Sequence, residues 1–96
     1  MCARVNVKLL LLLSDKLGKE ELEMESDDIE ELQRKIVERF KEQLSDDNLF
    51  VNKETGLFHD HMLVLINGRN IKFMNGLKTK LNEGDTVVIC PPVAGG

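Results

Sequence analysis

The first pattern in the chain is an alternation of polar and apolar residues from Arg4 to Leu9, the period of a half-buried strand. An uninterrupted apolar run, 10–13, follows it, so we expect one strand with apolar residues on both faces. Leu10 and Leu12 would then lie opposite the core and need a cover. The core face is assigned to Val5, Val7, Leu9 and Leu11.

A second strand is predicted over 20–24, after a polar connection over 14–19. Leu22 and Met24 are two residues apart and therefore share one face. These features indicate a hairpin between the first two strands.

An amphipathic helix follows. Ser26 and Asp27 are good N-caps, and Asp27 with Glu30 has the spacing of a capping box. Apolar residues then recur at helical spacing over about four turns and form one stripe. They are Ile29, Leu32, Ile36, Val37, Phe40 and Leu44.

The segment 45–61 is polar and weakly patterned, and we expect a helical turn or a short strand within it. His59-Asp60-His61 offers two potential metal ligands. A zinc site normally needs three or four convergent ligands, so a surface loop without metal is expected.

The last third of the chain is predicted to hold more strands. The apolar run 62–66 suits a strand buried on both faces, and Asn67-Gly68 is a strong hairpin signal. A returning strand over 70–73, a loop anchored by Leu77 and Leu81, a turn over 82–85 and a final strand over 86–90 follow.

This order predicts an α+β fold with a mixed sheet of about four to five strands packed on one main helix. The first and last strands are expected to pair in parallel at the centre. Because one helix covers one sheet face, an apolar patch is expected near Leu10 and Leu12, beside the end of the last strand.

Composition narrows the classes of function. Ninety-six residues, 42% of them hydrophobic, suit one small domain. The net charge of −4 argues against a nucleic-acid surface. Cys2 and Cys90 at opposite ends favour a reducing compartment, and Cys90 is expected to be a small buried hydrophobe. The run 9–13 is too short to cross a membrane, so a cytoplasmic protein without membrane contact is expected.

The final stretch is Pro91-Pro92-Val93-Ala94-Gly95-Gly96, directly after the last strand. The prolines bias the backbone towards extended conformations, and the glycines carry no side chain. Fully extended, it would reach about 20 Å. We therefore expect a folded body over 1–90 and an extended tail over 91–96; the alternative is a frayed terminus.

These residues resemble the MoaD/ThiS family of ubiquitin-like sulfur carriers, and most closely its molybdopterin synthase small-subunit (MoaD) branch. The resemblance is carried by the element order, Asn67-Gly68-Arg69, Leu77-x-Thr79-x-Leu81, Gly84-Asp85 and Pro-Pro-Val-x-Gly-Gly. It implies a β-grasp fold. The segment 45–61 is longer than in compact members of the family.

The resemblance implies that Gly96 is a covalent carrier of sulfur. A MoeB-like enzyme would use ATP and magnesium to adenylate its carboxylate, and sulfur would displace AMP to leave a thiocarboxylate. A MoaE-like large subunit would supply the catalytic pocket, in a heterotetramer, and convert a pterin precursor. The chain itself would be non-catalytic and bind no cofactor. Tail threading is assigned to Pro91, Pro92, Val93, Ala94 and Gly95, and partner docking to Leu10, Leu12, Phe73 and Ile89.

Three alternatives remain open at this point. The chain could be a ubiquitin-like modifier joined to lysines through Gly96, since the activation chemistry is shared. It could carry sulfur in a thiamine or tungsten pathway, although Pro91-Pro92-Val93 favours the molybdopterin type. It could also be an interaction domain whose Gly-Gly end is accidental.

Overall fold

The computed structural model describes residues 2–47 and 49–91. Its elements follow in the order β1 Ala3–Leu9, α1 Leu11–Leu17, β2 Glu21–Ser26, α2 Ile29–Arg39, α3 Lys41–Leu44, β3 Val51–Asn52, β4 Leu57–Phe58, β5 Leu63–Ile66, β6 Arg69–Asn70 and β7 Thr86–Cys90. Two 3₁₀ turns, Ile71–Phe73 and Gly76–Lys78, lie between β6 and β7. No helix in this part of the chain is both long and apolar enough to span a bilayer.

Five strands form one mixed sheet in the order β2-β1-β7-β5-β6, and β3 pairs with β4 in a separate hairpin. Strands β1 and β7 run parallel, with Val7 opposite Val87 and Leu9 opposite Ile89. All other pairs in the sheet are antiparallel. The predicted α+β fold and the central parallel pair are therefore confirmed.

Helix α2 packs its apolar stripe on one face of the sheet. Ile29, Leu32 and Ile36 are fully buried beside Val7 and Val87 in one hydrophobic core. Alternate residues of β1 and β7 point into the core because side chains alternate across a strand. The predicted stripe is correct, although the helix stops at Arg39 and Leu44 belongs to α3.

The N-terminus of α2 is capped one residue later than predicted. Asp28 is the N-cap, and its Oδ1 accepts the N–H of Glu31 at 2.8 Å. The Glu31 carboxylate reaches back and accepts the N–H of Asp27 at 2.9 Å. Two backbone donors that have no partner within the helix are thus satisfied by carboxylates, which the helix dipole also favours.

The prediction that the first strand continues through Leu13 is wrong, because β1 ends at Leu9 and α1 begins at Leu11. Leu13 and Leu17 lie one helical turn apart and are both buried, whereas Leu11, which a strand would place on the same face as Leu13, is exposed. The helix ends at Gly18, whose left-handed backbone (φ 72°) lets its N–H bond the Ser14 carbonyl at 2.8 Å.

Other elements differ less. The predicted strand over 62–66 is observed as β5, but only one face is buried, since Leu63 is exposed and Leu65 half-buried. The hairpin at Asn67-Gly68 is confirmed, with positive φ at both residues as a type I′ turn requires. The returning strand is shorter than predicted, and its last three residues form a 3₁₀ turn. The expected short strand within 45–61 is confirmed as β3 and β4.

Candidate functional site

The site predicted from the sequence begins where β7 ends. The Leu10 N–H donates to the Ile89 carbonyl at 3.1 Å on one side of β7, and Leu63 lies opposite Cys90 on the other. We call this the tail end of the sheet, meaning the end at which strands β1 and β7 finish and strands β2 and β5 start. Chain segments from β1 and β5 therefore flank the last described residue, Pro91.

Pro91, the first residue of the predicted extended tail, is buried. Its carbonyl accepts a hydrogen bond from the Cys90 thiol, with sulfur and oxygen 3.2 Å apart. The remaining tail predictions concern residues outside the described part of the chain, namely Pro92, Val93, Ala94, Gly95 and Gly96.

The tail end exposes four leucines, which we call the tail-end leucines: Leu10, Leu11, Leu12 and Leu63. Leu12 is the most exposed of them, at 62%. An open surface cavity of about 270 Å³ is lined by Leu10 and Leu11 together with Ser14, Glu20, Glu21 and neighbouring residues. Large apolar side chains grouped on a surface are typical of a protein-binding site.

Leu11 has an unusual backbone conformation, with φ at 56°. The left-handed region costs a branched residue roughly 1–2 kcal/mol. The Ser14 hydroxyl donates to the Leu11 carbonyl at 2.7 Å and helps to hold this conformation. Strain of this kind is retained where the surrounding structure imposes it, and such positions often lie at functional sites.

The predicted docking patch is only partly assembled. Ile89 is wrong as a docking residue because it is 0% exposed: it shares the core-facing side of β7 with Val87. Phe73 is 83% exposed but follows β6, three strands from β1, a separation of about 14 Å across the sheet. Leu10 and Leu12 are exposed, and Leu12 lies on α1 rather than on a sheet face.

Sequence reasoning missed Leu11 and Leu63 as exposed residues. The alternation of polar and apolar residues predicts that Leu11 faces the core, but the strand that produces this alternation ends at Leu9. The four-residue spacing of Leu13 and Leu17, followed by Gly18, was the available signal for a helix. For Leu63 no comparable signal exists, because a continuous apolar run does not reveal which face is covered.

Two other candidates have ordinary structural roles. Cys90 is buried, as predicted. The rings of His59 and His61 stack with centroids 5.1 Å apart, and His61 Nε2 lies 3.1 Å from the Leu49 carbonyl oxygen. Over residues 2–47 and 49–91, no group of three or more His, Cys, Asp or Glu residues is arranged to hold a metal ion.

Ion pairs cluster at the opposite end of the strands, where β2 passes into α2. We call this the crossover end. Lys80 Nζ lies 3.0 Å from Asp27 Oδ2, and Lys78 Nζ lies 3.0 Å from Glu30 Oε1. Hydrogen bonding to Lys80 lowers the pKa of Asp27, and the same contact raises the pKa of Lys80. Hydrogen bonding to Lys78 similarly lowers the pKa of Glu30. These contacts join the segment before β7 to the start of α2.

Comparison with known proteins identifies the group to which this arrangement belongs. The family model described as "ThiS family" matches residues 7–96, nearly the whole chain. The chain belongs to the ThiS family.

Curated relatives of this ThiS-family protein include small archaeal modifier protein 3 of Haloferax volcanii, which is 46% identical over 43 residues, 45% of this chain and 47% of the relative. Sulfur carrier protein CysO of Mycobacterium tuberculosis is 39% identical over 41 residues, 43% of this chain and 44% of the relative. The matched part thus spans about half the length of each relative.

Solved structures match over nearly the full length. Small archaeal modifier protein 1 of Methanosarcina acetivorans superposes with a TM-score of 0.82 at 28% identity, covering 100% of this chain and 99% of the other. The BexX/CysO complex of Amycolatopsis orientalis contains a chain that superposes with a TM-score of 0.70 at 25% identity, covering 96% and 99%. The ubiquitin-like β-grasp fold is therefore shared with these proteins.

Proposed function

We propose that this protein is a ubiquitin-like sulfur carrier that holds sulfur as a thiocarboxylate on Gly96. The main support is the position of β7. It pairs centrally with β1 and leads into Pro91 at an edge of the sheet that also exposes the tail-end leucines. Family membership and the sulfur-carrier relative point the same way.

The chemistry requires activation of a carboxylate, which is a poor acyl donor until its oxygen can leave. A partner enzyme attaches AMP from ATP to the Gly96 carboxylate and releases pyrophosphate, with magnesium bound to the nucleotide. A sulfide-level donor then displaces AMP and leaves the thiocarboxylate. Gly95 and Gly96 suit this role because a Cβ would obstruct a narrow enzyme channel. The carrier contributes no catalytic group of its own.

Docking of the partner is assigned to the tail-end leucines. Leu10 and Leu63 flank the end of β7, and Leu11 and Leu12 follow Leu10, so a protein that covers them would also contact the chain where it leaves the sheet. Covering apolar side chains of this size removes their surface from water and so contributes favourable free energy to association. Phe73 follows β6 at the far side of the sheet from β1 and is not assigned to this contact.

For the acceptor, we propose the pterin precursor of the molybdenum or tungsten cofactor, with a MoaE-like large subunit and a MoeB-like activating enzyme as partners. This choice rests on the Pro91-Pro92-Val93 sequence and its resemblance to the MoaD branch. A second function, conjugation through Gly96 to lysines of other proteins, is favoured by the similarity to small archaeal modifier protein 3.

The deciding experiment is the intact mass of the untagged protein after incubation with the activating enzyme, ATP, magnesium and a sulfide donor. A gain equal to replacement of one oxygen by one sulfur is expected, and it should disappear when Gly96 is deleted while the melting temperature stays unchanged. Gly-Gly remnants on lysines of other proteins, without the mass gain, would support the modifier function instead. Sulfur loading of the Gly96 deletion would contradict the proposed site.

Substituting Gly95 with a bulky residue separates threading from folding. Gly95→Trp is expected to retain the wild-type melting temperature and to lose most of the sulfur loading, because the indole blocks access to the terminal carboxylate. Unimpaired loading of this variant would refute the steric argument while leaving the chemistry at Gly96 intact.

A further inference from the structure

The outer edge of strand β2 forms a second surface, distinct from the tail end. β2 is the terminal strand of the sheet and pairs only with β1 within the described chain. Its residues alternate: Glu21, Glu23 and Glu25 are exposed, whereas Leu22 and Met24 are half-buried against the core. The edge is six residues long, and its outward backbone groups form a template for an added strand.

The hydrogen-bond register shows which backbone groups face outward. The Leu9 N–H donates to the Glu20 carbonyl at 2.8 Å, and bonded pairs alternate along an antiparallel ladder. Leu22 and Met24 therefore bond β1, and the N–H and C=O groups of the three glutamates point away from it. Lys35 Nζ donates to the Glu25 carbonyl at 2.7 Å, which confirms this direction.

Lys35 covers one end of this edge, and among residues 2–47 and 49–91 no hydrogen bond covers the outward backbone groups of Glu21 and Glu23. Lys35 lies on helix α2, and its ammonium group donates a hydrogen bond to the Glu25 carbonyl next to the crossover end. The backbone groups of Glu21 and Glu23 lie towards the tail end, beyond the reach of that contact. An added strand would therefore pair first with Glu21 and Glu23.

The pairing of β2 with β1 indicates which side chains an added strand would need at the outer edge. On β1, Arg4 lies opposite Glu25 and Lys8 opposite Glu21, while Val5 and Val7 lie opposite Met24 and Leu22. Arg4 is 3.3 Å from the Glu25 carboxylate and 3.6 Å from that of Glu23. Side chains on either face of a strand contact neighbours on both edges, so the outer edge presents the same alternation of acidic and apolar groups.

We propose that the outer edge of β2 binds an extended segment of a partner protein in which Lys or Arg alternates with aliphatic residues. The basic side chains pair with Glu21 and Glu23, the aliphatic ones cover Leu22 and Met24, and the backbone adds a sixth strand. This proposal does not rest on the sulfur-carrier function. The outer edge lies two strands from β7, about 10 Å, and its Glu21 end adjoins the cavity beside Leu10 and Leu11.

The test uses the ¹⁵N-labelled full chain and a blocked Lys-Val-Lys-Val-Lys peptide. Saturable amide shifts are expected, largest and downfield at Glu21 and Glu23, with a dissociation constant of roughly 10 µM to 1 mM for so short a strand. Lys-Lys-Lys-Val-Val, which has the same composition without alternation, is expected to bind at least about tenfold more weakly. Glu-Val-Glu-Val-Glu should not bind.

Four variants separate backbone pairing from charge. Glu23→Pro removes an outward N–H while sparing the bonds of Leu22 and Met24 to β1, and should weaken binding about tenfold. Glu23→Lys reverses the charge and should weaken binding at least as much. Glu54→Lys makes the same charge change in the exposed β3–β4 turn and should leave binding unchanged. Lys35→Ala frees the Glu25 carbonyl and should strengthen binding a few-fold.

Several results would overturn the proposal. Equal binding of the scrambled or acidic peptide would exclude alternation and charge as the determinants. Shifts confined to the tail-end leucines would place the peptide at the other surface. Self-association of the free chain through β2 would make a second copy the occupant. Unchanged binding by both folded Glu23 variants would exclude the edge itself.

Discussion

The two ends of the sheet are built for different purposes. At the crossover end, carboxylates satisfy backbone donors: Glu31 and Asp28 cap α2, and Asp85 bonds Asn67 and the Asn82 N–H. At the tail end, leucines are exposed and Leu11 is strained. Satisfied polar contacts favour one fixed conformation, whereas exposed apolar groups gain free energy only when a partner covers them. The contrast separates the part that stabilises the fold from the part available for binding.

The largest effect is expected at the crossover end. Asp85→Ala removes a nearly buried carboxylate and leaves the Asn67 side-chain amide and the Asn82 N–H without this acceptor. We expect a loss of about 2 kcal/mol in the free energy of unfolding, measured by urea denaturation. Asp15→Ala, on the exposed surface of α1, is the control and should change stability little. Equal losses in the two variants would remove the distinction between the ends.

A change at the tail end should instead affect binding. Leu12→Asp is expected to weaken binding to the activating enzyme about tenfold, because a charge replaces an apolar anchor, and to leave the melting temperature unchanged. Leu49→Asp is a matched control, since Leu49 is exposed to the same degree but lies in the loop before β3. Calorimetric titration of both variants would measure the difference. Comparable weakening by Leu49→Asp would argue against the tail-end leucines as the docking surface.

The strain at Leu11 can be tested by a pair of glycine substitutions. Leu11→Gly should raise the free energy of unfolding by about 1 kcal/mol, because glycine adopts positive φ without steric cost. Leu12→Gly, at the next helical position, should lower it by about 1 kcal/mol, since glycine destabilises a helix interior. Chemical denaturation of both variants gives the two signs. A loss in both would mean that Leu11 contributes more by packing than it costs in strain.

The smallest effect on stability is expected when the pH is lowered. The pKa values of Asp27, Glu30 and Glu31 are lowered by folding, through Lys80, Lys78 and the Asp27 N–H respectively. Their stabilisation is therefore complete above the ordinary carboxylate pKa values of 3.8 and 4.5 and is lost as pH falls through the lower, folded values. Denaturation between about pH 6 and about pH 2 should show this decline. Lys80→Met should flatten the contribution of Asp27; an unchanged profile would exclude the pair.

Much of the fold could be predicted because local patterns agreed with the final packing. The α2 stripe required only helical spacing, and the Asn67-Gly68 turn required only residues that tolerate positive φ. The parallel pairing of β1 with β7 followed from their apolar content. Where a sequence pattern was compatible with only one structure, the sequence was sufficient to predict that structure.

The errors in prediction arose where a sequence pattern was compatible with two structures. The leucine run after β1 suits a strand or a helix, and the burial of Leu13 beside an exposed Leu11 fits only the helix, because a strand would place both on one face. Ile89 was placed in the exposed patch because either set of alternate residues in β7 could face α2. Its register with β1, which aligns Val87 with Val7, places Ile89 in the core. The tail chemistry was inferred from resemblance, since glycines carry no pattern of their own.

The central position of β7 also affects how the protein is made. Val7 pairs with Val87, 80 residues later, so β1 has no parallel neighbour until the end of the chain has been synthesised. Contacts between distant residues form late and slow folding. A nascent chain that lacks β7 would leave β1 open along one edge and its valines uncovered. Completion of the last strand is thus the step that closes the sheet, and a prematurely terminated chain would be incompletely folded and open to proteases.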